Sequence, residues 1–110
     1  MNLRSLARDR MAVVKQMPCI ACAVFASICG PTEVHHLNLG GRAGQKRRGD
    51  QYTIPLGAWH HRGEPKNGKT ASYMRTLYGP SLARESRAFR RCYGTDDELL
   101  AKTNELLEQL

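Results

Sequence analysis

The sequence predicts a small α+β fold, and three observations predict it. The chain has 110 residues, which makes one domain. Two short segments near its middle alternate in the manner of strands, and the segments on either side repeat their apolar residues at helical spacing. All four histidines and three of the four cysteines gather around those strand-like segments. The last observation bears on stability. Aromatic residues are only 6% of the chain, with ten glycines and five prolines, so the core is lean and a bound metal would staple it.

Each element has its own signal. Residues 2–16 (NLRSLARDRMAVVKQ) place Leu3, Leu6 and Arg10 on one face, continued by Val13 and Val14, and read as a helix that Pro18 ends. Cys19-Ile20-Ala21-Cys22 is a tight knuckle by its spacing, and Gly30-Pro31 is a turn. Residues 32–39 (TEVHHLNL) begin as a strand. Residues 40–50 (GGRAGQKRRGD) are loop, with four glycines and four bases. Residues 51–56 (QYTIPL) form a second strand, with Tyr52 and Ile54 on one face and Pro55 marking an edge or an end. A short helix over 58–62 carries His60 and His61, and 64–69 is loop. Residues 70–77 read as a helix that stops at Gly79-Pro80. Residues 81–93 read as another, with Leu82, Phe89 and Tyr93 near one face and arginines at 84, 87, 90 and 91. Thr95-Asp96-Asp97-Glu98 is a capping-box pattern, and Leu99, Leu100, Leu106, Leu107 and Leu110 follow it at helical spacing.

Charge narrows the class of partner. Seventeen bases against ten acids give +7 and a pI near 9.6. Residues 95–110 hold five of the acids and one base, so residues 1–94 carry +11. A body this basic points to a polyanion, most often nucleic acid. No apolar run reaches the length of a membrane span, so no membrane partner is expected. The opening residues MNLRSLARDR are charged and lack a following apolar stretch, which predicts a cytoplasmic protein without a secretory leader. In a reducing compartment the four cysteines point to metal rather than disulfides.

The chemistry lies in three local features taken in order. These are Cys19-x-x-Cys22, then Val34-His35-His36-Leu37, then Leu56-Gly57-Ala58-Trp59-His60-His61. The four histidines form two adjacent pairs 25 residues apart. Adjacent residues at a strand end point to opposite sides, so one imidazole can bind a metal while its neighbour addresses a water. Phosphodiester hydrolysis needs a base for the attacking water, a cation for the developing charge and basic residues for the backbone. The basic residues fall into two groups: Arg42, Lys46, Arg47 and Arg48 between the histidine pairs, and Arg84, Arg87, Arg90 and Arg91 later, of which 84, 87 and 91 share a helix face. Arg62 directly follows the second histidine pair.

Together, Cys19-x-x-Cys22, His35-His36-Leu37 and Pro55-Leu56-x-x-Trp59-His60-His61 resemble the HNH (ββα-metal, His-Me finger) endonucleases. More closely they resemble the phage recombination enhancement function nucleases, a RecA-dependent nuclease family of bacteriophages and prophages. The close resemblance spans about residues 17–65. It implies a ββα-metal core over 17–69, between an N-terminal helix over 1–16 and C-terminal helices over 70–110, all in one domain. It implies DNA as substrate, a RecA-type filament as partner, and magnesium or manganese for catalysis, with zinc also suited to histidine ligands. By the same resemblance His36 would be the general base, His35 and His61 ligands of the catalytic cation, and Cys19, Cys22 and His60 ligands of a structural zinc. Arg42, Lys46, Arg47, Arg48, Arg62, Arg84, Arg87 and Arg91 would contact the phosphate backbone.

Two positions depart from the family pattern. Gly57 stands where a third cysteine ligand is expected, which leaves the fourth zinc ligand to Cys29, from a loop folded back, or to Cys92, from a helix. If neither reaches, the site is weak, completed by water or lost; a rise in zinc and cleavage in Gly57→Cys would mark the chain as a damaged or relaxed version of its family. The central asparagine is also missing; Asp50 or Gln51 is the nearest polar substitute, Asn38 lies too early, and Glu64 is the candidate for a further cation ligand. The alternative function is a zinc-stapled nucleic-acid-binding module without catalysis. A third reading is an assembly protein that docks through its acidic C-terminal helix.

Overall fold

A computed structural model describes residues 3–22, 29–38 and 49–109, with side chains from residue 9 onward. The elements run α1 (Leu3–Gln16), β1 (Thr32–His36), β2 (Thr53–Gly57), α2 (Ala58–Arg62), α3 (Ala71–Tyr78), α4 (Ser86–Tyr93) and α5 (Asp96–Glu108). The α+β expectation holds. The two strands pair antiparallel, with Thr32 opposite Gly57 and His36 opposite Thr53, and α2 follows β2 without a break.

Pro55 sits in the middle of β2, opposite Val34. Its carbonyl accepts a hydrogen bond from the Ile20 amide at 2.8 Å, on the side away from β1. In an antiparallel strand a residue's N and O point the same way, so the missing N–H also faces outward and no ladder bond is lost. The proline thus leaves the pairing intact while the outer edge of β2 receives the Cys19–Cys22 knuckle.

Every residue of β2 is buried. Helix α1 packs on both strands and α5 on β2. Arg10 ties these layers together: Nε donates to Thr53 Oγ1 at 3.1 Å, Nη2 to the Thr53 carbonyl at 2.8 Å and Nη1 to Asn104 Oδ1 at 2.7 Å. Ile54, Leu56, Trp59, Met74, Phe89 and Leu99 form the centre of the core. Trp59 buries its ring and donates Nε1–H to the Gly79 carbonyl at 2.9 Å.

Local signals set most boundaries. Thr70 caps α3, accepting from the Tyr73 amide at 3.1 Å. Thr95 and Glu98 form the expected capping box, with each side chain accepting from the other's backbone amide. Helix α4 is shorter than the sequence predicts, starting at Ser86 rather than 81. After Pro80 the chain makes a single turn, closed by Glu85 N–H to Ser81 O at 2.9 Å. The Leu82 amide meanwhile donates to the His60 carbonyl at 2.8 Å, which docks this turn against α2. Arg84 therefore lies in this turn and not on the α4 face with Arg87 and Arg91. The second strand likewise begins at Thr53 rather than 51, because Tyr52 N–H closes a turn on Gly49 O at 2.9 Å.

Candidate functional site

Cys19, Cys22, Cys29 and His60 converge, with their ligand atoms all within 4.8 Å of one another. Among the described residues this is the one group of three or more such ligands. Tetrahedral zinc with bonds of about 2.3 Å to sulfur sets sulfurs ~3.8 Å apart, so the cluster needs only a small contraction to fit. All three thiols are free of disulfides. The knuckle brings Cys19 and Cys22 through the Ile20–Pro55 bond. Cys29 is brought by the entry to α2, a helix with no side-chain cap. The Ala58 and Trp59 amides, which an uncapped helix leaves unpaired, donate instead to Pro31 O at 3.0 Å and Cys29 O at 3.1 Å.

His60 arrives from the first turn of α2. Its Nδ1 lies 3.5 Å from both Cys19 Sγ and Cys22 Sγ. Its Nε2–H donates to the Tyr78 carbonyl at 2.8 Å, which aims Nδ1 at the sulfurs as a metal ligand. The Tyr93 hydroxyl donates to the same carbonyl, and burial pushes that hydroxyl up to about 12, so it stays a donor. The Tyr93 ring packs edge-on against His60 with centroids 5.1 Å apart. Burial alone would lower the His60 pKa, but hydrogen bonding to Cys19 and Cys29 outweighs it and holds the ring up to about 10. Hydrogen bonds from Cys22 and Cys29 hold Cys19 well below an ordinary thiol, while the same contact with Cys19 drives Cys22 up. The cluster thus favours one thiolate beside an imidazolium, and a metal ion would displace the protons that remain.

The geometry explains Gly57. A Cβ at this position would lie 2.3 Å from Cys29 Sγ and 3.0 Å from the Gly30 carbonyl. The thiol of Cys29 occupies the space a side chain at 57 would need. Of the two cysteines left open by the sequence it is Cys29 that joins Cys19, Cys22 and His60, in a group that could hold a metal, and Cys92 is exposed on α4, outside the cluster. A cysteine at 57 would collide with Cys29 Sγ unless that side chain moved.

The second histidine of α2 faces elsewhere. His61 and His35 meet edge-on with ring centroids 4.9 Å apart. Both line a cavity of about 280 Å³ with Asn38, Leu82, Ala83, Ser86, Arg90 and Asp96. His61 Nδ1 is 2.8 Å from Glu33 Oε1, and Arg62 grips both oxygens of the same carboxylate at 2.7–3.0 Å. The Arg62 contact, then that of His61, holds Glu33 below the usual carboxylate range. Strand alternation sends His36 to the other face of β1, where its Nε2 lies 2.9 Å from Asp50 Oδ1. His35 and His61 are thus together and His36 is apart from them, paired with an acid. Glu64 is exposed and does not line the cavity.

The basic residues divide. Arg42, Lys46, Arg47 and Arg48 lie outside the described residues. Arg62 is exposed but clamped on Glu33. Arg84 stacks over the Trp59 ring at 5.7 Å and donates to Gly63 O at 2.8 Å, which gives it a packing role. Arg90 pairs with Asp96 at 3.1 Å. Arg87 and Arg91 remain as an exposed pair one turn apart on α4. Sequence reasoning missed Glu33, although its place two residues before His35 in a strand puts both on one face. It also missed the Tyr78 carbonyl, for which a backbone atom leaves no signal.

Fold and site together define a class: a small α+β protein with a buried three-cysteine, one-histidine cluster that could bind a metal such as zinc. The profile of the recombination enhancement, RecA-dependent nuclease family matches residues 5–108. The chain belongs to that family, and the family's name suggests a recombination-associated nuclease. The match runs from α1 into α5, so the acidic C-terminal helix is part of the family's domain. Neither a curated protein nor a solved structure matches the chain. Among the described residues no helix is long and apolar enough to cross a membrane.

Proposed function

We propose that the protein is a metal-dependent DNA endonuclease of the ββα-metal (HNH) type, phage or prophage encoded, acting in the bacterial cytoplasm on DNA bound by a RecA-type filament. One observation carries the reading: the two histidine pairs divide their labour. His60 faces the cysteines, His61 and His35 meet in one cavity, and His36 stands apart with a carboxylate. Two imidazoles and a cavity wall leave open positions for water and phosphate, which suits a catalytic cation better than a closed structural site.

On this reading His35 and His61 hold Mg²⁺ or Mn²⁺. The cation supplies charge neutralisation on the scissile phosphate and the leaving oxygen. Asp50 accepts from His36 Nε2–H and so turns Nδ1 outward as the base. His36 Nδ1 takes a proton from water as the water oxygen bonds to phosphorus. The P–O3′ bond breaks, and the 3′ oxygen takes a proton from solvent. Arg87 and Arg91, with Arg42, Lys46, Arg47 and Arg48, hold the backbone. Cys19, Cys22, Cys29 and His60 hold a structural zinc that fixes α2.

The test is cleavage of plasmid DNA with Mg²⁺ or Mn²⁺, with and without a RecA filament. His36→Ala should slow cutting by at least about 100-fold. Cutting at the wild-type rate would overturn the base assignment. Among the described residues His35 and His61 do not join any third His, Cys, Asp or Glu in a group compact enough to hold a metal, which favours a second reading, a zinc-stapled nucleic-acid-binding module. Binding without cleavage in every divalent metal would establish it instead.

A further inference from the structure

Glu33 reaches His61 from β1, in a neighbouring pocket that it lines with His61 and Arg62. It shares a face of β1 with His35, and its side chain is 27% exposed against 22% for His61. Its Oε1 accepts from His61, and its two oxygens take three hydrogen bonds from Arg62. A carboxylate with both oxygens engaged is poorly placed to be a cation ligand itself. It is well placed to settle which nitrogen of His61 carries the proton. A neutral imidazole has one N–H and one lone pair, and the partner of one nitrogen decides the role of the other.

We propose that Glu33 is a positioning residue for His61, with Arg62 as the clamp that holds it. This rests on the reading of His35 and His61 as the cation site. Glu33 accepts the Nδ1 proton, so Nε2 keeps its lone pair for the cation. The charged partner also makes that nitrogen a stronger donor to metal, as carboxylates behind metal-binding histidines do. Arg62 contributes by fixing the carboxylate in one orientation. Its bidentate grip uses a geometry that lysine would not reproduce. The inference reassigns Arg62 from DNA contact to the support of His61, and it gives α2 two consecutive residues, His61 and Arg62, that close on one acid of β1.

The experiment uses the full chain loaded with zinc, as wild type, Glu33→Ala, Glu33→Gln and Arg62→Ala. Long-range ¹H–¹⁵N NMR reads the His61 tautomer, and Mn²⁺ titration followed by electron paramagnetic resonance reads cation affinity. Wild type should show the Nδ1–H form of His61. Glu33→Ala should mix the tautomers and weaken Mn²⁺ binding by about 10–100-fold. Glu33→Gln keeps an acceptor oxygen and should recover most of that loss, and Arg62→Ala should fall between the two. If Glu33→Ala does not fold, Glu33→Gln and Arg62→Ala are read against wild type by the same two measurements. A wild-type Mn²⁺ response that every folded variant leaves intact, with an unchanged His61 tautomer, overturns the role of Glu33 alone. Wild-type His35 and His61 signals that Mn²⁺ does not broaden overturn the cation site, and the proposal falls with it.

Discussion

At the scale of single residues, Gly57 and Cys29 are best understood as a pair. A methyl group at 57 cannot coexist with the thiol of Cys29 where it stands, so Gly57→Ala should displace that thiol although residue 57 itself offers no metal-binding atom. Zinc per chain, measured by atomic emission after dialysis, should fall well below one for both Gly57→Ala and Cys29→Ser. Cys92→Ser, outside the cluster, should retain wild-type zinc. Equal zinc in Gly57→Ala and wild type would remove Cys29 from the ligand set. Spacing in the sequence pointed to Cys19, Cys22 and His60, because a Cys-x-x-Cys knuckle and a histidine after a strand are local patterns. It left Cys29 as one of two candidates because its position depends on a backbone pairing with α2, between residues 27 and 30 apart in sequence. Glu33 went unread for a different reason. Its partners lie on another element, and a glutamate in a strand is an ordinary solvent-facing residue until that element is docked.

Elements with self-contained signals follow the sequence closely. Helix α5 begins at its capping box because Thr95 and Glu98 satisfy each other's amides within one turn. Thr95→Ala should destabilise the fold by about 1 kcal/mol in urea unfolding. The Thr95 backbone amide, and then its hydroxyl, hold the Glu98 carboxyl below its ordinary range. A depressed carboxylate stabilises above its unfolded value of about 4.3, and that stabilisation is lost as pH falls through the folded value. Glu98→Gln should therefore lower Tm at pH 7 and leave it unchanged at pH 3; an equal loss at both would show that its charge plays no part. Helix α4 shows the opposite case. The apolar spacing of 81–93 is helical throughout, yet its first turn stands apart from α4 and is docked through Leu82 on the His60 carbonyl, a contact 22 residues away that no local pattern encodes.

Across the whole molecule, metal and charge are the two global quantities to test. A ligand that binds only the folded chain at about 1,000 times its Kd adds ~4 kcal/mol, so removing zinc should lower Tm by roughly 15 °C or more. Calorimetry with and without a chelator measures this, and an unchanged Tm would mean that the cluster holds no metal in solution. Nucleic-acid affinity should fall steeply with salt, and replacing both Arg87 and Arg91 with alanine should flatten the logarithmic slope by about 2 units. No change in slope would leave DNA to the basic sequence over residues 40–50. The α+β architecture was legible because strand and helix periodicities sit side by side in a short chain. The separation of His36 from His35 and His61 was legible as alternation, whereas its pairing with Asp50 needed the turn over 49–52. One feature reaches beyond the molecule. His60 and His61 are consecutive residues of a five-residue helix, one turned to the cysteines and the other to the cavity. A helix that short cannot absorb a shift at one residue before the next. Loss of a metal from the cluster would then displace His61 as well as loosen the fold, so the cluster and the cavity would fail together.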